Sequence, residues 1–65
     1  MASHAALAKD DWLFGFAMEL LRVRPRVAYA EAEARARLEW EVRGRSDPRQ
    51  AARRWLGEQV PRPSP

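Results

Sequence analysis

The sequence predicts an all-α protein: a small three-helix bundle, with a long central helix flanked by two shorter ones, that associates as a dimer. Three observations predict it. Stretch 27–42 interleaves Ala with Glu and Arg, and its charges pair at i, i+4. Residues 12–23 form an apolar run at helical spacing. Ser46-Asp47-Pro48 is a helix-start signature. The expected helices span 10–23, 26–43 and 48–59. Short connections make consecutive helices roughly antiparallel.

Residues 1–9 read as a flexible tail, followed by a single helical domain over 10–60. Ser3 can cap an early turn, but Asp10 or Asp11 is an equally good N-cap just before the apolar run. In the first helix Leu13, Phe16, Ala17, Leu20 and Leu21 make one broad face, widened by Phe14 and Met18. Polar residues are nearly absent before Glu19 and Arg22, so the helix is too apolar to lie on a surface alone. Gly15 weakens the helix by about 1 kcal/mol relative to Ala, and its lack of a side chain permits a close helix crossing. Pro25 then breaks the chain, since it disfavours helical geometry at Arg24 and suits the first turn of a new helix. Arg22, Arg24 and Arg26 cluster there, favourably placed near a helix C-terminus.

The second stretch is ambiguous in its period, because apolar and charged residues alternate from Ala28 to Val42 as they do in a strand. Composition and charge favour a helix. Ala, Glu and Arg are good helix formers. Glu31–Arg35, Glu33–Arg37 and Glu39–Arg43 put Glu four residues ahead of Arg, and Arg35–Glu39 and Arg37–Glu41 continue the ladder. Each such pair contributes roughly 0.2–0.5 kcal/mol on a helix. At helical spacing Val27, Ala30, Ala34, Leu38 and Val42 form one stripe, and Ala28, Tyr29, Ala32, Ala36 and Trp40 form another. Two such faces predict neighbours on both sides, approached closely because Ala is small. This makes the second helix the expected organiser of the fold.

Gly44 is the expected left-handed C′ residue ending that helix. Asp47 then caps the third helix, with Pro48 at N1 and Gln50 placed for a capping box. Ala51, Ala52, Trp55 and Leu56 form its buried stripe, and Gly57 or Pro61 ends it. Residues 61–65, Pro-Arg-Pro-Ser-Pro, read as a disordered tail.

Composition limits the function. Sixty-five residues allow one domain with a small core. There is no Cys, which excludes disulfides and thiolate metal sites, and the one His, His4, has no neighbouring ligands in sequence. No apolar run reaches the length of a membrane span, and no secretory leader is visible. The absence of Ile, Asn and Thr, with a single Lys, matches the usage of a GC-rich genome. A cytoplasmic protein of bacterial or phage origin is expected.

Catalysis is not expected. The carboxylates sit in regular ladders with Arg partners, and no phosphate loop, nucleophile motif or metal-ligand spacing occurs. No cofactor, metal or small-molecule substrate is implied. The expected function is a non-enzymatic protein-interaction module of regulatory or accessory type, which self-associates or docks a protein partner. Trp12, Leu13, Phe16, Leu20 and Trp40 are the candidate interface. The alternative is binding of the DNA backbone through Arg clusters 22–26 and 43–54, for the formal net charge is +3. Arg43, Arg45, Arg49, Arg53 and Arg54 are the candidate phosphate contacts. A helix-turn-helix does not fit. Stretch 50–57 has one residue too many before Gly57, and a Pro-rich segment stands where a recognition helix belongs.

Overall fold

The computed structural model describes residues 8–59. It contains three helices: α1, Lys9–Val23; α2, Tyr29–Arg43; and α3, Pro48–Gln59. No strand occurs among the described residues. Of the expected tail 1–9 only Ala8 and Lys9 are described, and Lys9 opens α1; the rest of that tail, the tail 61–65 and His4 lie outside the described residues.

The organising helix is α1, which corrects the expectation that α2 is central. Both α2 and α3 pack on α1, whereas they make little contact with each other. Nor is α2 the longest, since α1 and α2 each have 15 residues. The reason is side-chain size. Half of the buried core comes from α1, through Trp12, Leu13, Phe16, Ala17 and Leu20. The other two helices contribute mainly Ala: Ala32 and Ala36 from α2, and Ala51, Ala52 and Leu56 from α3. Large side chains on one helix thus fit against small ones on two others. An aromatic cluster fills the centre. Trp12 stacks on Phe16 with centroids 5.3 Å apart and meets Trp40 edge-on at 5.4 Å. Phe16 reaches Trp55 at 6.3 Å.

The contacts give the directions. Trp12, near the start of α1, meets Trp40, near the end of α2, so these helices are antiparallel. Along α3 the order follows α1. Trp12 Nε1 donates to the Ser46 carbonyl at 2.7 Å, and Glu19 accepts from Arg53. Between these points a Cβ on Gly15 would lie 3.0 Å from Pro48 Cγ, so Gly15 permits the close crossing anticipated for it.

Several boundaries differ from expectation. Helix α1 begins at Lys9 behind Ala8, which has no side chain to cap it, so Asp10 and Asp11 sit inside the first turn. There they face the positive end of the helix dipole. Helix α2 begins at Tyr29 rather than 26, because Pro25 starts a turn in which Val27 N–H donates to the Arg24 carbonyl at 3.1 Å. Gly44 is not left-handed; its φ and ψ are −60° and −16°. Glycine is required there for space, since a Cβ would lie 2.6 Å from the Trp40 carbonyl oxygen and 2.9 Å from its ring. Gly57 lies within α3 and does not end it. The Asp47 cap is present: the Gln50 N–H donates to Asp47 Oδ2 at 3.0 Å, and Pro48 opens the helix.

Candidate protein-docking surface

The five residues expected to form an interface belong mostly to the chain's own core. Trp12, Leu13, Phe16 and Leu20 are buried, and Trp40 is half-buried against them. As folded, the first four offer no surface to a partner. The large apolar residues that remain outside are Phe14, Met18 and Val23 on α1, and Tyr29, Leu38 and Val42 on α2.

On α2, Leu38 and Val42 belong to one continuous face, whereas Tyr29 lies on the opposite side of the helix. Of the two stripes foreseen for this helix, Ala32, Ala36 and Trp40 of the second are turned to α1, while Ala28 and Tyr29, at the helix start, are exposed. The first stripe is largely uncovered. Ala30 and Ala34 are exposed, Leu38 is 59 % exposed and Val42 77 %. Only Val27 is tucked in, half-buried at the edge of the core. The expected contact on both sides of α2 is therefore met on one side within the single chain. Beside this face runs an open groove of about 350 Å³ between the end of α1, α2 and Trp55. Leu20, Val27, Ala34 and Leu38 give it an apolar floor, and Glu31, Arg24 and Arg35 edge it. The Arg35 guanidinium is 5.1 Å above the Trp55 ring and 3.4 Å from Glu39. It edges the gap that α2 and α3 leave by packing mainly on α1.

A second groove, of about 540 Å³, lies between α1 and α3 and is lined by Met18, Leu21, Arg22, Arg49 and Arg53. Its floor is Glu19, whose side chain is 4 % exposed. Hydrogen bonds from Arg22 at 2.6 Å and Arg53 at 3.0 Å hold the Glu19 carboxyl down at about 2, against the opposing effect of burial. A buried carboxylate with two guanidiniums is fully compensated, so it ties α1 to α3 rather than waiting for a ligand. Among the described residues no buried side-chain polar atom lacks a hydrogen-bond partner, and no His, Asp and Glu cluster is arranged to hold a metal.

The five Arg proposed for phosphate contact do not share one face. Arg43 bonds Glu58 and Glu39, each at 2.6 Å, and these bonds raise its pKa. Arg53 is bonded to Glu19. Arg45 edges a groove with Trp40 and Val42, whereas Arg49 lines the one between α1 and α3. Arg45, Arg49 and Arg54 are exposed, and no carboxylate lies within ion-pair distance of them among the described residues. The helical ladder is also partial: Arg37–Glu33, Arg35–Glu39 and Arg43–Glu39 form. Glu31 and Glu41 take no part in it.

Among the described residues no helix is long and apolar enough to cross a membrane. Comparison with protein-family models, curated proteins and solved structures gives no significant match.

Proposed function

We propose that this chain is a non-enzymatic protein-interaction module of regulatory or accessory type, docking a protein through the outer face of α2. The observation that carries this reading is the uncovered stripe of Ala30, Ala34, Leu38 and Val42 beside an apolar groove. Single exposed apolar residues are ordinary, but a contiguous apolar stripe with charged edges marks an interaction surface. The composition supports it as well. A chain of 65 residues with no disulfide gains much from covering such a face. Either a second copy or a different protein satisfies this chemistry.

A photo-crosslinking residue at position 38, compared with one at exposed Arg54 on α3, tests the reading in the native cell. Discrete protein adducts from position 38 that are missing from position 54 are the expected result. Equal, diffuse labelling from both positions overturns it.

The exposed Arg45, Arg49 and Arg54 favour one second reading, attachment to the DNA backbone. Co-sedimentation with a mixed-sequence duplex that fades steeply as salt rises is its expected signature. Absence of co-sedimentation at low salt removes it.

A further inference from the structure

We infer that the occupant of the α2 face is a second copy of this chain, packed antiparallel about a two-fold axis at Leu38. The inference deepens the interaction-module reading and rests on it.

The argument is one of position and charge. Glu31 and Arg45 lie seven residues to either side of Leu38. Seven residues are two turns, about 10 Å along the axis, and they drift only ~20° from the face of Leu38. Arg45 lies in the turn just past the end of α2, but Gly44 keeps right-handed helical dihedrals and the Ser46 N–H donates to the Arg43 carbonyl at 2.9 Å, so this turn carries the path of α2 on to Arg45. Ala34 and Val42 lie four residues to either side of Leu38 and widen the same face. Glu31, Ala34, Leu38, Val42 and Arg45 are all exposed. Neither Glu31 nor Arg45 has an ion-pair partner among the described residues.

A two-fold axis through this face makes it complementary to itself. Leu38 meets Leu38 of the second copy. Each Ala34 comes opposite a Val42, small against branched. Each Glu31 comes opposite an Arg45, so two ion pairs close the two ends of the seam. A parallel pair would set Glu31 on Glu31 and Arg45 on Arg45, stacking like charges at both ends. The charges thus choose the antiparallel arrangement. A seam of one helix on one helix falls below the usual area of a stable interface, so dissociation at about 100 µM is expected.

Sedimentation equilibrium from 10 to 1,000 µM at low salt tests the inference, with helicity checked by circular dichroism. The concentrations and effects are set by the weak association expected of so small a seam, roughly 100 µM. The wild-type chain should dimerise reversibly. Glu31→Arg alone and Arg45→Glu alone each create two like-charged pairs and should weaken dimerisation about tenfold. An equimolar mixture of the two variants should regain wild-type association, because every pair in the mixed dimer is then opposite in sign. Within one copy these positions are about 21 Å apart along the axis of α2 and the turn that continues it, so only a contact between copies gives this rescue. As a second measurement, Leu38→Cys, the only thiol in such a chain, should form a disulfide-linked dimer faster than Arg54→Cys.

A folded wild-type monomer throughout the range overturns the inference. If position 38 nevertheless yields a discrete crosslink to another protein, the interaction-module reading survives and only the second copy is wrong. If it yields none, both fall. A dimer whose charge reversals are not rescued by mixing, or which links no faster at position 38 than at 54, overturns the antiparallel seam.

Discussion

Replacing Glu19 by Gln isolates the tie between α1 and α3. The carboxylate is buried at 4 % exposure and accepts from Arg22 and Arg53. Its pKa is held at about 2, against 4.5 for an unperturbed Glu. Because the folded value is the lower one, the associated stability is present above pH 4.5 and is lost as pH falls toward 2. The shift is equivalent to at most about 3 kcal/mol. Both guanidiniums are more than half exposed, so solvent screening brings the effect down to about 1–2 kcal/mol. Glu19→Gln should therefore lower the stability from urea denaturation by about 1–2 kcal/mol at pH 7. The gap between the two proteins should narrow below pH 4.5 and nearly close at pH 2, since a protonated Glu and a Gln differ little. The two proteins differ at this one side chain, so the comparison isolates it. Parallel stability curves from pH 7 to pH 2 would refute the reasoning and show Glu19 to be an ordinary surface carboxylate.

Three further substitutions read local geometry through the same denaturation assay. Gly44→Ala should destabilise by about 1–3 kcal/mol, because its Cβ would press on the Trp40 carbonyl and ring; a neutral result would show that Trp40 yields freely. Gly57→Ala should stabilise by about 0.5–1 kcal/mol, since no atom lies within 4 Å of the new Cβ and Ala is the better helix former. A loss of stability there would contradict the open space around α3's last turn. Asp47→Ala should cost about 1 kcal/mol by removing the side-chain acceptor of the Gln50 N–H. An unchanged urea midpoint would mean the cap contributes nothing.

What the sequence disclosed and withheld follows from the range of each interaction. The start of α3 was legible because the Asp47 cap and Pro48 act within four residues. The body of α2 was legible because its composition outweighs its strand-like alternation. Its start was read three residues early, since Pro25 fits a turn as well as a first helical turn and only the Val27 to Arg24 bond distinguishes them. For Gly44 the same residue met a different need: room for Trp40 rather than a positive φ. The candidate site was half legible. The stripe of Ala30, Ala34, Leu38 and Val42 was visible in the spacing. Its exposure was not, because spacing cannot say which of two faces the neighbours cover. The pairing of Glu19 with Arg53 and the bond from Trp12 to Ser46 each join residues 34 apart in the chain. No local pattern marks them.

The role of organiser passed from α2 to α1 for a reason that also bears on function. A helix with large side chains on one broad face can support two neighbours, and α1 does so with Trp12, Phe16 and Leu20. A helix with Ala on several sides can be approached from more than one, yet α1 approaches α2 from only one. Helix α2 is thus held by Ala32, Ala36 and Trp40, with little help from α3. Its back is left uncovered among the described residues. Whatever binds there binds only the folded chain, so it must also stabilise the fold by mass action. For a second copy, the unfolding midpoint must then rise with protein concentration across the dimerisation range, and Glu31→Arg must flatten that rise, apart from the concentration-independent loss that comes from placing a cation in the first turn of α2. A midpoint that is the same at all concentrations would leave α2 with a bare face and no second copy on it.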